Sequence, residues 1–455
     1  GMTGETMTKR PLACVILAAG RGVRMKSKKP KVMNELLGWP MIKWLLESVR
    51  HLEPDRTIVV VGPGMEDLVE AVHPCEAVLQ PQQDGTGSAL KCAMNLLQKF
   101  NGDVLVLLGD TPMISPQTLW NLIQARQQSS DTGIAVLGTE LSNPTGYGRL
   151  LLDVEGNVAA IREEKDATLS EKMVRLINTG AFCMDGKRLE RWLGSLTNRN
   201  AQKEYYITDL PEIAARDSYK TRVQITFDAD EVRGCNTRTD LAALERIAQK
   251  RMREHFLERG VTLQDPESVF FHFDTILDEG VVVEPNVYFG PGVEVGEGSR
   301  IRAFSHLEGA KIGSKTTVGP FARLRPGTVL GDNVRIGNFV EIKKSTIGDR
   351  SKVSHLGYVG DCEMGEDVNF GCGAITVNYD GFEKHTTIIG KGVMVGSNVN
   401  LIAPLIIDDG AFIAAGSTIT QNVPADALSL SRAKEEVRKG WAATYRQRKA
   451  ERKKK

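Results

Sequence analysis

A glycine-rich turn near the start of the chain has the residue types of a phosphate-binding loop. The stretch 17–25 reads LAAGRGVRM directly after an apolar run, and Arg21, Arg24 and Lys31 supply cations around it. Backbone N–H groups in such a turn, together with flexible cations, bind nucleotide phosphates. The stretch lacks the spacing of a dinucleotide fingerprint, and the chain contains no Walker A motif. The turn therefore favours a triphosphate in some other nucleotide-binding fold.

Two oxygen-bearing side chains follow strand-like runs and could hold a metal ion. Asp110 comes after the buried run Val104–Leu108, and Asn236 follows a late strand. Ligands of open α/β sheets bind at the carboxyl ends of the parallel strands. Mg²⁺ there is typically held by one or two protein oxygens and by substrate phosphates. The alternative for Asp110 is a helix N-cap for the segment from Pro112 onward.

Further polar segments complete a candidate nucleotide-sugar site. The loop 80–87 reads QPQQDGTG before a helical stretch, and its amide side chains could read the edge of a base. Gly146-Tyr-Gly-Arg149, Glu163 and Asn178-Thr-Gly180 add groups that could bind a sugar.

In the second half, two cations fall into one column of a repeating coil. Lys343 lies eighteen residues after Arg325, and Gly360 follows after a one-residue slip. One coil of three hexapeptides is eighteen residues, so such residues stack at about 4.8 Å. We interpret the two cations as an anion site in which the glycine leaves room for the anion. The alternative is a pair of splayed, solvated side chains.

A second column of this coil runs past a histidine. Its members are Asn338, His355, Cys372, Ser397 and Ala415, provided that 377–388 is a loop extruded between Thr376 and Ile389. Small residues there predict a slot along the coil wall that ends at the histidine. Considered alone, His355 could equally be structural.

The elements that position these residues differ between the two halves. The first 230 or so residues alternate apolar runs with helical stretches, which predicts a mostly parallel sheet covered on both faces. Residues 240–259 have apolar positions at helical spacing and predict a connecting helix.

From about residue 280 a period of six residues predicts a parallel β-helix, with one aliphatic residue per hexapeptide pointing inward. The period is carried by Val283, Phe289, Val295, Ile301, Leu307, Ile312, Val318, Leu324, Leu330, Ile336, Ile342, Ile347, Val353, Val359, Met364, Phe370, Ile389, Val395, Leu401, Ile407, Ile413 and Ile419.

Composition excludes several classes of protein. The 455 residues are 41% hydrophobic with a net charge of +1, which excludes a disordered chain and a wholly basic nucleic-acid binder. No run of about 18 apolar residues and no signal-peptide core occur, so we expect neither secretion nor a membrane span. Seven scattered cysteines without a CxxC pair suit free thiols in the cytoplasm.

The whole chain resembles a bacterial enzyme family, the bifunctional N-acetylglucosamine-1-phosphate uridyltransferase/glucosamine-1-phosphate acetyltransferases. Seven segments are similar, in the same order, to motifs of its pyrophosphorylase domain: LAAGRGVRM, PKVM, QQDGTGSA, LLGDTP, TGYGR, INTG and GCNTR. Six later segments are similar to motifs of its acetyltransferase domain: FARLRPGTVL, GNFVEIKK, SHLGYVGD, NFGCGAITVNYDG, VGSN and AAGSTIT.

For the first domain, the resemblance implies a Rossmann-like pyrophosphorylase that uses UTP. Asp110 and Asn236 would hold Mg²⁺, and we add Arg24 and Lys31 as catalytic candidates that stabilise phosphate charge. The other implied contacts to the uridine nucleotide and its sugar are Leu17, Ala18, Ala19, Gly20, Lys31, Gln80, Gly85, Thr86, Gly146, Glu163, Asn178 and Asn236.

For the second domain, the resemblance implies a left-handed β-helix in which His355 is the general base. The implied contacts to glucosamine phosphate are Arg325, Lys343, Tyr358 and Asn369. The implied contacts to acetyl-CoA are Cys372, Asn378, Tyr379, Ser397, Ala415 and Arg432. Two residues depart from the family, which often has tyrosine at Leu108 and alanine at Cys372.

The resemblance also implies an organisation. We predict a uridyltransferase domain over 1–237, a linker helix over 238–262, an acetyltransferase domain over 263–431 and a basic tail over 432–455. The family is a homotrimer whose acetyltransferase sites form where β-helices meet. The product, UDP-N-acetylglucosamine, feeds peptidoglycan and lipopolysaccharide synthesis.

Three alternatives remain at the level of sequence. The β-helix could be structural or allosteric in a monofunctional sugar-1-phosphate nucleotidyltransferase. The chain could also be a non-enzymatic assembly subunit, although loss of Asp110 or Asn236 would then be expected. The tail has eleven Lys or Arg against three Asp or Glu, but we favour a solvated tail, or one that reaches CoA phosphates, over nucleic-acid binding.

Overall fold

The chain folds into two compact units, Gly1–Arg251 and Met252–Lys455. The structure, a computed structural model, describes residues 10–455, so the N-terminal stretch in which no signal peptide was found lies outside the described residues. The boundary between the units falls inside a long helix, Arg238–Glu258. That helix starts where the linker was predicted to start and ends before residue 262.

The first unit is built on a nine-stranded sheet. The strands are β1 Leu12–Leu17, β2 Arg56–Val61, β3 Glu76–Leu79, β4 Asp103–Leu108, β5 Thr132–Glu140, β6 Arg149–Leu152, β7 Val158–Arg162, β8 Leu176–Asp185 and β9 Lys220–Ile225. Their order in the sheet is β9-β5-β8-β4-β1-β2-β3, and β6 and β7 extend it from β8. β1 is parallel to β2 and β4, whereas β8 is antiparallel to its neighbours, so the prediction of a mostly parallel sheet is confirmed.

Helices cover both faces of this sheet because successive residues of a strand point to opposite sides. In β1, Ala13 and Val15 belong to one core cluster, and Cys14 and Ile16 belong to the other. All six residues of β1 are buried. The helices are α1 Met41–Arg50, α2 Glu66–Val72, α3 Thr86–Met94, α4 Pro116–Gln127, α5 Leu169–Lys172, α6 Gly186–Gly194, α7 Leu210–Arg216 and α8 Arg238–Glu258.

The second unit is the predicted left-handed parallel β-helix, whose short strands stack in register as three faces. The first face contains Thr262–Leu263, Val282–Val283, Arg300–Ile301, Thr317–Val318, the first parts of Arg335–Lys343 and Lys352–Gly360, Asn369–Phe370, Met394–Val395, Phe412–Ile413 and Leu428–Ser429. The second contains Tyr288–Phe289, His306–Leu307, Ala322–Leu324, the last parts of the same two long strands, Ile375–Val377, Asn400–Ile402 and Thr418–Ile419. The third contains Ile276–Leu277, Glu294–Val295, Ala310–Ile312, Thr328–Leu330, Thr346–Ile347, Cys362–Met364, Thr387–Ile389 and Leu405–Ile407.

The inward positions of the hexapeptides form the core of this unit. Each of the aliphatic or aromatic residues that carried the six-residue period is at most 5% exposed. The chain turns between faces at residues in the left-handed region. We call the turn at Phe339 and Leu356 the first corner, and the turn at Lys344 and Asp361 the second corner.

The β-helix is interrupted by a loop over 378–386. The prediction put this loop at 377–388, but Val377 pairs with Ile402 and Thr387 pairs with Cys362, so both ends remain in the sheets. After the last coil, α9 (Trp441–Lys453) leaves all of its side chains exposed. None of the helices in residues 10–455 has the length and apolar character needed to cross a membrane.

Candidate functional site

The glycine-rich turn after β1 lies beside Asp110 at one edge of the sheet. Leu17 is opposite Leu108 in the parallel pair β1 and β4, and the N–H of Gly109 donates to the carbonyl of Leu17 at 2.9 Å. A cavity of about 240 Å³ opens at this edge. The predicted residues that line it are Leu17, Ala18, Ala19, Gly20, Lys31, Gln80, Gly85, Thr86 and Asp110.

A second cavity of about 460 Å³ adjoins the first, because Thr86, Leu108 and Asp110 line both. Leu108, where the family often has tyrosine, thus presents an aliphatic side chain at the junction. Arg21 is exposed and lines neither of these two cavities. The other predicted residues that line the second cavity are Arg24, Gly146, Glu163, Asn178 and Asn236.

The two predicted metal ligands converge on one point. Lys31 Nζ lies 2.7 Å from Asp110 Oδ2 and 3.3 Å from Asn236 Oδ1. Asp240 Oδ2 accepts hydrogen bonds from the backbone N–H groups of Asn236 at 2.9 Å and of Thr237 at 3.1 Å, which fixes the backbone of Asn236. A carboxylate and an amide oxygen that share one cation suit the oxygen preference of Mg²⁺.

Asp110 does not cap the following helix. The helix Pro116–Gln127 is capped by Ser115, whose Oγ accepts a hydrogen bond from the N–H of Thr118 at 3.2 Å. Asp110 therefore has no role in starting this helix, and the N-cap alternative is wrong.

Glu163 is a carboxyl group in a confined environment. Burial raises the pKa of Glu163, while a hydrogen bond from Thr208 Oγ1 to Glu163 Oε1 at 3.0 Å acts in the opposite direction. Asn178 lies near it in the second cavity, and its Oδ1 accepts a hydrogen bond from the N–H of Gly180 at 2.9 Å. A carboxylate and an amide oriented in this way can bind the hydroxyl and amide groups of a sugar.

The segment 204–208 joins the two cavities. It was not among the site residues predicted from the sequence. The N–H of Gly87 donates to Tyr205 O at 2.7 Å, and the N–H of Ile207 donates to Thr86 Oγ1 at 3.0 Å. Gly85 has φ +112°, and a side chain there would lie 2.4 Å from Tyr205 O, so glycine is required. Only contacts between distant segments reveal this role, and no local spacing signals it.

The predicted slot of the β-helix forms a continuous column at the first corner. The N–H groups of Gly373, Asn398 and Gly416 donate to the carbonyls of the slot residues one coil earlier. Arg432 Nη1 then donates to the carbonyl of Ala415 at 2.8 Å. The slot residues brought together are His355, Cys372, Ser397, Ala415 and Arg432.

His355 is oriented by the residue below it in the column. Its Nδ1 lies 3.2 Å from Asn338 Oδ1. Because an amide oxygen can only accept, this contact puts the hydrogen on Nδ1 and leaves the lone pair of Nε2 available. Both side chains border a cavity of about 530 Å³.

The stacked cations are at the second corner, and they are not splayed into solvent. Lys343 Nζ lies 3.1 Å from Asp361 Oδ2, and Arg325 Nη1 lies 3.4 Å from Glu341 Oε2. Lys384, from the loop 378–386, lies beside Lys343, and the proximity of this second ammonium lowers the pKa of Lys384. Lys384 was not predicted as a site residue, because the loop is outside the register of the hexapeptide repeats.

The prediction that Gly360 leaves room for an anion is wrong, because other side chains of the chain fill the space above this glycine. A side chain at Gly360 would lie 2.4 Å from the Tyr358 hydroxyl and 2.6 Å from Asn378 Nδ2. Asn378 Nδ2 also donates to Asp361 Oδ2 at 2.6 Å. The glycine therefore makes room for the chain's own polar side chains, which border the cations.

In one chain, the two parts of the predicted acetyltransferase site are at different corners of the coil. His355 is at the first corner and Gly360 is at the second, with an extended segment bent at Leu356 between them. A straight strand of five residues spans at most about 16 Å, and the bend brings the two corners closer than that. The residues predicted to bind glucosamine phosphate are also divided between two places. Asn369 is on the first face, whereas Arg325 and Lys343 are at the second corner.

The predicted acetyl-CoA contacts are divided in the same way. Asn378 and Tyr379 are at the start of the loop beside the second corner, apart from the slot. Asn378 contacts Asp361, whereas the exposed Tyr379 donates its hydroxyl hydrogen bond to Gly381 O at 2.7 Å.

Two family models match the two units. The MobA-like NTP transferase domain matches residues 14–174. The bacterial transferase hexapeptide repeat matches residues 274–309, 309–344 and 386–421.

Full-length relatives have the same arrangement. The chain is 44% identical to a protein of Paramagnetospirillum magneticum over 98% of the chain and 99% of the relative. It is 46% identical to a protein of Xanthobacter autotrophicus over 97% of the chain and 98% of the relative. It is 43% identical to a protein of Thermoanaerobacter pseudethanolicus over 94% of the chain and 97% of the relative. Each of the three is named "Bifunctional protein GlmU".

Proposed function

The chain belongs to the GlmU family of bifunctional transferases, and on that premise we propose how its residues divide between the two reactions. It is an acetyltransferase that makes N-acetylglucosamine-1-phosphate and a uridyltransferase that converts this product and UTP into UDP-N-acetylglucosamine. The monofunctional and non-enzymatic alternatives are set aside, because full-length relatives are named bifunctional and both transferase domains match.

For uridylyl transfer, we assign the first cavity to the nucleotide and the second to the sugar phosphate. Gln80, Gly85 and Thr86 hold uracil, and the turn 17–20 offers its N–H groups to phosphate. Gly146, Glu163 and Asn178 hold the sugar. The observation that carries this assignment is that Asp110 lines both cavities, so the reacting groups would meet beside it.

The chemistry of this step is an in-line displacement. A sugar-phosphate oxygen attacks the α-phosphorus of UTP, and pyrophosphate leaves as the new P–O bond forms. The protein aligns the two substrates, and Arg24 and Lys31 stabilise the charge of the phosphates. The family uses a divalent metal, and we propose Mg²⁺ held by Asp110 and Asn236. When bound, it supplies further charge neutralisation.

For acetyl transfer, we propose that acetyl-CoA lies along the slot at the first corner. His355 Nε2 takes the proton from the amine as the nitrogen attacks the thioester carbonyl, and the C–S bond then breaks to release the CoA thiolate. Asn338 orients the ring through Nδ1. Transfer is direct, with Cys372 as part of the slot wall.

The phosphate of glucosamine-1-phosphate is assigned to Arg325, Lys343 and Lys384 at the second corner. Since this corner and His355 are at separate places in one chain, we propose that each site combines the first corner of one copy with the second corner of a neighbour. A closed homotrimer of β-helices provides such contacts three times. Cytoplasmic location stays a prediction that rests on the free thiols.

A coupled assay tests the two-site assignment. Glucosamine-1-phosphate, acetyl-CoA, UTP and Mg²⁺ are supplied, and free thiol and pyrophosphate are followed separately. We expect His355→Ala to lose thiol release, and to release pyrophosphate as wild type does once it is given N-acetylglucosamine-1-phosphate. We expect Asp110→Ala to keep thiol release and to release no pyrophosphate even when it is given N-acetylglucosamine-1-phosphate. Loss of both activities in either variant, with each activity assayed on its own substrate and with folding intact, contradicts the assignment.

A further inference from the structure

The ammonium of Lys31 has two possible sets of partners. It contacts Asp110 Oδ2 at 2.7 Å and Asn236 Oδ1 at 3.3 Å, and the side chain is only 14% exposed. Lys31 also lines the nucleotide cavity together with the glycine-rich turn. The group is therefore placed between the two proposed metal-binding oxygens and the proposed phosphate position.

The surroundings of Lys31 are fixed, whereas its far end can move. Asn34 Nδ2 donates to the carbonyl of Lys31 at 2.9 Å, and a side chain on Gly22 would lie 2.7 Å from Lys31 Cβ. On the other side, Asp110 directly follows the buried strand β4, and Asp240 holds the backbone of Asn236. Rotation of the terminal bonds of Lys31 is thus sufficient to change its partner.

We propose that the Lys31 ammonium and a divalent cation compete for the same pair of oxygens, and that entry of the cation releases the ammonium toward the nucleotide phosphates. This inference rests on the proposed function, since it takes Asp110 and Asn236 as the metal ligands. Mg²⁺ needs its oxygens at about 2.0–2.1 Å, which leaves no room for an ammonium on the same oxygens. The like charges of the two cations also repel each other.

The exchange makes metal and nucleotide binding mutually reinforcing. Without nucleotide, a metal ion has to break the ion pair between Lys31 and Asp110. With nucleotide, the phosphates give the released ammonium a new partner, so the metal binds more tightly. By linkage, the metal strengthens nucleotide binding by the same factor. Lys31 therefore favours simultaneous loading of the two over binding of free metal.

The test uses Mn²⁺ as a spectroscopic substitute for Mg²⁺, with free Mn²⁺ measured by electron paramagnetic resonance on the full-length protein. In the absence of nucleotide, we expect Lys31→Met to bind Mn²⁺ at least tenfold more tightly than wild type. Addition of UDP-N-acetylglucosamine is expected to tighten Mn²⁺ binding in wild type, and to do so much less in Lys31→Met. Lys29→Met removes a nearby exposed ammonium and is expected to behave as wild type.

The outcomes separate this inference from the proposed function. Equal Mn²⁺ affinity of wild type and Lys31→Met without nucleotide, with normal binding when UDP-N-acetylglucosamine is present, overturns the exchange alone. Failure of wild type to bind Mn²⁺ even with the nucleotide sugar overturns the metal assignment and the exchange with it. Asp110→Asn is expected to weaken Mn²⁺ binding under both conditions.

Discussion

At the scale of single residues, Lys343 and Lys384 determine the charge that the second corner offers to a phosphate. Lys343 is paired with Asp361 at 3.1 Å and lies beside Lys384. Lys343 is the main cause of the lowered pKa of Lys384, with the positive charge of Arg325 as a smaller contribution. A doubly charged phosphate supplies the negative charge that this cluster lacks.

We therefore predict an alkaline limit to binding at this corner. As pH rises, Lys384 loses its proton at a lower pH than the ordinary value of 10.5, so the affinity for glucosamine-1-phosphate starts to decline before pH 10.5 is reached. Lys384→Arg keeps its charge and moves the decline to higher pH. Calorimetric titration across pH measures this, with Lys391→Arg as an exposed control. Identical profiles for wild type and Lys384→Arg would contradict the prediction.

The Thr208 hydroxyl affects the ionisation of Glu163, which leads to a second prediction. Burial raises the pKa of Glu163, and the hydrogen bond from Thr208 counteracts part of that rise. Thr208→Val removes the hydrogen bond, so Glu163 takes up a proton at a higher pH than in wild type. The acid limb of the pH profile of kcat/KM for N-acetylglucosamine-1-phosphate should therefore shift to higher pH. Thr208→Ser keeps the hydroxyl and should restore the wild-type limb, whereas an unshifted limb in Thr208→Val would refute this role.

At the scale of elements, the loop 378–386 has its own internal structure. Asp380 Oδ1 accepts hydrogen bonds from the N–H groups of Phe382 at 2.8 Å and Glu383 at 2.7 Å. The other carboxylate oxygen lies 2.8 Å from His385 Nε2. The backbone N–H of Glu383 is the first cause that lowers the pKa of Asp380 to about 2, followed by His385. The loop is thus held in place above the ordinary aspartate pKa, and this restraint is lost as pH falls toward 2.

We predict that Asp380→Ala loosens this loop. Two N–H groups lose their acceptor, so the backbone around Lys384 samples more conformations. Limited trypsin digestion should then cleave after Lys384 several-fold faster than in wild type, as followed by mass spectrometry of the fragments. Glu383→Ala is the matched control, because the Glu383 contacts within the loop are made by its backbone. Equal cleavage rates in the two variants would count against the restraint.

The regular elements were predictable because their signals are local and repeated. A six-residue period needs only an inward aliphatic position to be read, and residues such as Ile336 and Val353 are buried as expected. The ends of the loop were less predictable. Val377 and Thr387 pair with strand residues of neighbouring coils. These pairings are tertiary contacts, which the local sequence around either residue does not reveal.

At the scale of the whole molecule, the proposed sharing of the acetyltransferase site leads to a prediction about mixed assemblies. His355→Ala and Lys343→Ala should each be inactive in acetyl transfer. Chains unfolded together and refolded as mixed trimers should regain about one quarter of wild-type activity, because random mixing places an intact first corner beside an intact second corner at that frequency. Thiol release measures the recovery.

The control for this experiment is refolding of each variant alone, which should give no acetyl transfer while uridylyl transfer is retained. If both residues acted within one chain, every chain in the mixture would still lack one of them. Activity that stayed absent in correctly assembled mixtures would therefore rule out a shared site.

The parts of the sites that escaped prediction depend on contacts between remote segments. Asp110 and the slot at His355 could be predicted because each follows a strand or a repeat. The contact of Lys31 with Asp110 and Asn236 joins three segments across some 200 residues of sequence. The segment 204–208 and Lys384 are likewise placed by tertiary contacts. Neither their residue types nor their spacing identifies them as site residues.

The separation of the two corners has a consequence for gene dosage. The residues assigned to uridylyl transfer all lie in the unit Gly1–Arg251 of one chain, whereas acetyl transfer would need a neighbour. At low protein concentration, dissociated chains would keep the second step of the pathway and lose the first. A cell that makes little of this protein would then accumulate glucosamine-1-phosphate, and a small rise in expression would restore flux more than proportionally.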